Sequence, residues 1–204
     1  MNVTLPLVAI LRGLPPGDAR SVGQALFDAG LRIVEVPLNR PGALEAIAAI
    51  AAIAPPDALV GGGTVLDPAS VDAVHAAGGR LVVAPNCDAA VIARGLARGL
   101  FCAPGVGTAS EAFIALRCGA QALKLFPAEV WQPAGLKALA AVLPEGTLLW
   151  PVGGITPSTI AAWRGAGATG LGLGSALYRP GDDAAFVAER AREFIAAWKA
   201  SPAR

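Results

Sequence analysis

The sequence predicts an α/β fold built on a parallel sheet, and three observations carry that expectation. Short apolar runs alternate with alanine-rich stretches of helical spacing along the whole chain, giving eight strand–helix units. Strict alternation of this kind places neighbouring strands parallel, with a helix as each crossover. Each unit takes about 25 residues, enough for a strand, two loops and a helix. A chain of 204 residues holds eight such units at the compact end of the (β/α)8 TIM barrel. A doubly wound open sheet is the competing architecture, and it usually carries a glycine-rich turn after its first strand. The corresponding turn, Arg12-Gly13-Leu14-Pro15-Pro16, does not match. No low-complexity linker divides residues 1–204, so one barrel domain is expected.

In the first unit a strand over Leu7–Leu11 precedes a helix near Gly17–Ala29, ended by Gly30, a residue suited to the left-handed cap conformation. Arg32–Val36 precedes Ala43–Ile53 in the second. In the third, Ala58–Val60 precedes Pro68–Ala77, where Asp67 caps a helix with proline at its first position and Gly78 ends it. Arg80–Ala84 precedes Asp88–Arg98, closed by Gly99. Phe101–Ala103 precedes Ala109–Arg117, which opens on Thr108-Ala109-Ser110-Glu111. That tetrapeptide is a capping box, its hydroxyl and carboxylate satisfying free amides reciprocally. The last three units are Ala122–Phe126 with Ala134–Val142, Thr147–Val152 with Pro157–Arg164, and Gly170–Leu173 with Asp183–Trp198. Thr156-Pro157 repeats the cap-and-proline start.

Composition narrows the function. Apolar residues make up 54% of the chain, enough for a sizeable core, and the net charge is +1 with no basic block or stripe, so nucleic acid is not an expected partner. The longest clean apolar stretch, Ala46–Ala54, is far too short to span a bilayer, so no membrane association is expected. The start Met-Asn-Val-Thr-Leu-Pro has no charged region followed by an apolar one, and Cys87, Cys102 and Cys118 form no close-spaced pair. Both features point to reduced thiols and a cytoplasmic protein. The single histidine, His75, sits in a helical stretch and is expected at the surface, which leaves little for a metal site or a Ser-His-Asp triad.

Two charged residues stand where charges are rare. Lys124 lies inside the apolar run Ala122-Leu123-Lys124-Leu125-Phe126-Pro127, and Glu35 inside Ile33-Val34-Glu35-Val36. Burial of a lysine lowers its pKa, and a neutral amine is the nucleophile that forms Schiff bases with carbonyl substrates. The alternative is an edge-strand lysine snorkelling to water. Side chains alternate along a strand, so Glu35 shares a face with Ile33 and Pro37, and Lys124 with Ala122 and Phe126. If both faces point inward the two groups converge, either as a structural ion pair or, the favoured reading, as catalytic partners with shifted pKa values.

In a barrel the functional groups gather at the carboxyl ends of the strands. Arg12 ends the first strand and offers a planar fork to a carboxylate; Thr64, after three glycines, offers a hydroxyl. Gly153-Gly154 and Gly174-Ser175 end the seventh and eighth strands, where barrels commonly hold phosphate with backbone amides and a helix N-terminus. Phe126 is either a dry cover for the lysine or a core aromatic.

Taken together, Leu11-Arg12-Gly13, Glu35-Val36-Pro37-Leu38-Asn39, Gly61-Gly62-Gly63-Thr64-Val65-Leu66, Ala84-Pro85-Asn86, Leu123-Lys124-Leu125-Phe126-Pro127, Val152-Gly153-Gly154-Ile155 and Gly172-Leu173-Gly174-Ser175 resemble the 2-keto-3-deoxy-6-phosphogluconate/galactonate aldolases over most of the chain. The resemblance implies a class I pyruvate aldolase on a homotrimeric (β/α)8 barrel, with no metal or other cofactor. It implies that Lys124 forms the Schiff base and Glu35 is the general acid/base. Arg12 and Thr64 would hold the pyruvate carboxylate, and Gly154, Gly174 and Ser175 the phosphate. The implied ligands are a phosphorylated keto-deoxy sugar acid, pyruvate and glyceraldehyde 3-phosphate. Asn39 stands where the gluconate branch usually has arginine, with Arg40 one step late, and Val152 stands where that branch tends to have threonine. Both departures resemble the galactonate branch; a gluconate-specific or dual-epimer enzyme, a phosphate-binding isomerase or transferase barrel, and a non-catalytic phosphosugar sensor are the rivals.

Overall fold

In the computed structural model, which describes residues 5–201, strands and helices alternate along the chain. The elements are β1 (Leu7–Ile10), α1 (Pro16–Ala29), β2 (Ile33–Pro37), α2 (Ala43–Ala51), β3 (Leu59–Gly63), α3 (Pro68–Ala76), β4 (Leu81–Val83), α4 (Ala89–Ala97), β5 (Phe101–Ala103), β6 (Gly105–Val106), α5 (Ala109–Arg117), β7 (Leu123–Leu125), α6 (Ala128–Ala140), β8 (Leu149–Pro151), α7 (Ile160–Gly165), β9 (Leu171–Leu173) and α8 (Ala184–Ala200). All strand pairs are parallel, as alternation requires. The ladders form a six-stranded sheet, β5-β4-β3-β2-β1-β9, and a three-stranded sheet, β6-β7-β8. They part at Pro104, which has no N–H to give and lies just past the fifth strand expected over Phe101–Ala103; Gly105–Val106 is a further short strand. A Val152–Gly172 bridge links the far edge of the second sheet to the first.

Local chemistry explains the element ends. Asp67 accepts from Ser70 N at 2.7 Å and Asp88 from Ala90 N at 2.8 Å, each satisfying an orphan amide of a first turn. The Thr108–Glu111 capping box forms with both its bonds. Gly30, Gly78 and Gly99 all take positive φ (107°, 82° and 70°), the left-handed conformation expected where their helices stop.

Most ends fall within one or two residues of expectation, and three elements differ in kind or by more. Strand β3 runs on through Gly61-Gly62-Gly63, because these glycines continue the register with Glu35, Val36 and Pro37 although they carry no apolar signal. Helix α6 begins at Ala128 rather than Ala134: Gln132 (φ 57°, ψ 168°) breaks it and Pro133 restarts it, so a first turn precedes the expected helix. The seventh helix opens as a 3₁₀ turn over Pro157–Thr159.

The core has two parts. The larger packs helices against the outer faces of the strands, with Leu26, Ile47, Phe194 and Leu171 among its fully covered members. The smaller lies on the inner face and contains Val8, Ile33, Leu59, Leu81, Val83, Ala103, Ala122 and Trp150. Trp150, Trp163 and Trp198 are buried, and Trp131 is exposed. His75 is exposed on α3, and Cys87, Cys102 and Cys118 are free thiols.

A methyl group on Gly61 would sit 1.9 Å from the Leu81 carbonyl oxygen, whereas one on Gly17 meets nothing within 4 Å. Gly61→Ala is therefore expected to destabilise by about 3 kcal/mol or more, and Gly17→Ala to be neutral or stabilising by roughly 0.5 kcal/mol. Urea denaturation of the two variants checks the contrast.

Candidate active site

The inner cluster sets the site. Ile33 and Ala122 both belong to it, so Glu35 and Lys124, each two residues further along its strand, also face inward. Register places Glu35 beside Ile10 and Gly61, and Lys124 beside Gly105 and Trp150. The side chains are 1% and 6% exposed, which rules out a snorkelling edge lysine.

Room for the carboxylate comes from Gly63, because a methyl group there would stand 1.6 Å from Glu35 Oε2. That oxygen has no hydrogen-bond partner among the described residues, an uncommon state for a buried carboxylate. Desolvation raises the Glu35 pKa to about 7, against the opposing pull of Lys124 and Arg12. Desolvation likewise lowers the Lys124 pKa; the Glu35 charge raises it and the Arg12 charge adds to the lowering. Lys124 Nζ lies 4.9 Å from the centre of the Phe126 ring, an apolar cover whose face also tolerates a cation.

Arg12 follows β1 and donates from Nη1 to Asn39 Oδ1 at 2.8 Å, so the loops after β1 and β2 hold its fork in place. Thr64 directly follows Gly63 and takes φ 54°, a left-handed conformation that is an outlier for a β-branched residue. Such strain gathers at functional sites, where surrounding structure enforces it. Gly153 (φ 122°) and Gly154 (φ 66°) also need conformations that side chains resist, and their backbone is left open.

A cleft of about 700 Å³ opens above these strand ends. Arg12, Gly154, Gly174 and Ser175 line it together, and Phe126, whose ring lies under Lys124 Nζ, and Val152 are also in its wall. Lys124, Glu35 and Thr64 are not in its lining; Lys124 stands over the Phe126 ring, which is. The helix N-terminus expected at the phosphate loops is instead a single turn, with Leu177 N and Tyr178 N both donating to Gly174 O, because α8 starts only at Ala184.

Four further lining residues were not among the expected binding groups: Arg40, Glu129, Tyr178 and Arg179. Arg179 is held by donation from Nε to Ser175 O at 3.0 Å, and its position just past the Gly174-Ser175 turn was a usable signal. Glu129 carried no such signal, because it lies in the unexpected first turn of α6. Among the described residues, no group of three or more His, Cys, Asp or Glu side chains is placed to ligate a metal ion.

The arrangement offers a dry amine, a carboxyl able to take and return a proton near neutrality, a guanidinium at a strand end and open glycine loops. Residues 2–185 match the family described as "Aldolase: KDPG and KHG aldolase". The 2-dehydro-3-deoxy-6-phosphogalactonate aldolase of Escherichia coli K12 is 46% identical over 195 residues, 96% of this chain and 95% of that protein. A solved structure described as "Native KDPGal structure" superposes with a TM-score of 0.95 at 45% identity, covering 98% of this chain and 97% of the other. KDPG aldolase from Legionella pneumophila, solved with pyruvate captured as a covalent carbinolamine, gives 0.80 at 26% identity, covering 97% and 95%. With its inner-face lysine and carboxylate in this setting and relatives matching nearly end to end, the chain belongs to the KDPG and KHG aldolase family.

Proposed function

We propose that this chain is a class I aldolase that cleaves 2-dehydro-3-deoxy-6-phospho-D-galactonate to pyruvate and D-glyceraldehyde 3-phosphate. The observation that carries this reading is the pair on the inner face: a lysine depressed by burial, beside a carboxyl whose pKa burial raises to about 7. Neutral Lys124 attacks the ketone carbon, and loss of water gives a protonated imine. Glu35, directly or through a water, takes the proton of the carbon-4 hydroxyl. The bond between carbons 3 and 4 breaks, its electron pair enters the imine, and glyceraldehyde 3-phosphate leaves. Glu35 returns the proton to carbon 3 of the enamine, and hydrolysis of the imine frees pyruvate and Lys124. Arg12 and Thr64 hold the pyruvate carboxylate; Gly154, Gly174 and Ser175 hold the phosphate; Phe126 keeps water from the imine. The imine serves as electron sink, so the reaction calls on no metal or other cofactor.

The galactonate substrate is supported by Val152 in the cleft wall, which offers no hydroxyl to a sugar hydroxyl of the gluconate epimer. Arg40 in the same cleft supports some use of that second epimer. The remaining expectations extend this reading. The two sheets form one closed (β/α)8 barrel, supported by the Val152–Gly172 bridge and by β6 following β5 directly across Pro104. Residues 1–204 are one domain, supported by β1 pairing with both β2 and β9, which brings the two ends of the chain into one sheet. The chain assembles as a homotrimer, supported by exposed Val130, Trp131 and Leu66. It works in the cytoplasm on small molecules, without nucleic acid or membrane partners; among the described residues no helix is long and apolar enough to cross a membrane.

Borohydride reduction in the presence of pyruvate, followed by peptide mass mapping, should place one adduct on Lys124, and Lys124→Ala should abolish both adduct and turnover. An adduct elsewhere overturns the mechanism. Glu35 must be ionised to accept the carbon-4 proton, so the rate of cleavage should fall as pH drops below about 7. Glu35→Gln should remove that limb and lower turnover by roughly 10²–10⁴-fold while imine trapping persists. Rates on the two carbon-4 epimers should favour galactonate, and Val152→Thr should shift the ratio toward gluconate by roughly tenfold.

A further inference from the structure

Glu129 has no part in the chemistry above, yet its carboxyl group stands in the cleft. It lies in the first turn of α6, before the Gln132 break, and lines the cleft with Gly153, Gly154, Gly174 and Ser175. A methyl group on Gly153 would come within 2.7 Å of Glu129 Oε2, and one on Gly154 within 3.3 Å of the same oxygen. An acidic residue in a first turn suits the positive end of a helix. That accounts for the residue type but not for an oxygen resting against the glycine pair that follows another strand. Other cleft residues are basic: Arg12, Arg40 and Arg179. A methyl group on Gly13 would lie 3.9 Å from Arg40 Cγ and 3.2 Å from Pro180 Cγ, so the loops after β1, β2 and β9 converge and gather the guanidiniums together. An anion in this cleft therefore meets three cations from those loops and a group of its own sign at the Gly153-Gly154 pair.

We infer that Glu129 is a specificity-determining residue: it competes with the substrate's phosphate for the Gly153-Gly154 loop and so narrows this enzyme's preference for phosphorylated over unphosphorylated keto-deoxy sugar acids. The inference rests on reading the cleft as the phosphate subsite. Two like charges a few ångströms apart repel appreciably even near solvent, and removing one returns that energy to phosphate binding. The effect belongs to binding, since the phosphate does not react, and so it reads in KM rather than kcat.

The test measures KM and kcat for Glu129→Gln and Glu129→Ser on the phosphorylated substrate and on its unphosphorylated counterpart, together with inhibition by inorganic phosphate. Both variants should lower KM for the phosphorylated substrate, and the inhibition constant for inorganic phosphate, by roughly three- to tenfold. KM for the unphosphorylated substrate should not fall in step. Equal changes in KM for both substrates, or phosphate inhibition unchanged or weakened, overturn the assignment. Imine trapping on the unaltered enzyme uses pyruvate alone, so it tests the aldolase reading separately: trapping at Lys124 with no phosphate effect sinks the role of Glu129 only.

Discussion

Burial of Glu35 and Lys124 on one inner face is the constraint on which the rest of the site depends. Each group loses its hydration, and each shift runs toward the neutral form. Their attraction offsets part of that cost without restoring the ordinary values. The consequences for folding have opposite signs. The raised Glu35 pKa means that the folded chain holds that proton more tightly than the unfolded one, so this group destabilises progressively as pH rises from about 4.5 to about 7. The lowered Lys124 pKa means that the folded chain releases its proton more readily, so its penalty fades as pH rises toward 10.5. Such a pair is poor scaffolding. The helix-facing core, with residues such as Phe194 and Ile47, must supply the stability that this inner layer withholds.

The same constraint explains why glycine concentrates where strands end. Gly63 leaves the volume that the Glu35 carboxylate fills, and Gly61 lets β3 approach the Leu81 carbonyl. The chain then turns through Thr64 in a strained conformation, which the Val65 N–H to Val83 O bond of 3.1 Å helps to enforce. Three glycines in a row would weaken an isolated strand. Here pairing with β2 fixes all three and pairing with β4 fixes Gly61 and Gly62, and the side chain missing at Gly63 leaves room for Glu35.

Much of this was legible in the sequence, for identifiable reasons. Lys124 and Glu35 stand out because each interrupts an apolar strand, and period-two alternation alone placed them on the face of Ala122 and Ile33. Helix starts at Asp67 and Thr108 were readable because capping chemistry is local. The extent of β3 was not, since glycine has no apolar signal and only pairing with β2 keeps it extended. The first turn of α6 was hidden because Pro133 reads as a helix start, while Gln132 permits the break just before it. That lost turn contains Glu129, and so the only acidic residue in the cleft lining escaped notice. Arg179 differs, because its position just past the Gly174-Ser175 turn was readable in the sequence.

The distribution of charge decides how such a site can attract its ligand. The whole chain has a net charge of only +1, too little for a long-range field to steer a multiply charged sugar acid. Selection must therefore be local, from guanidiniums that converge only because the loops after β1, β2 and β9 meet at Gly13 and Pro180. Arg12 also acts inward, since its charge opposes both the raised pKa of Glu35 and the protonated form of Lys124. In the proposed binding mode, a carboxylate held by Arg12 would weaken both effects at once. Glu35 then shifts further toward holding a proton, and Lys124 loses one influence that favours the free amine. In that mode, binding and proton placement would be coupled through a single guanidinium.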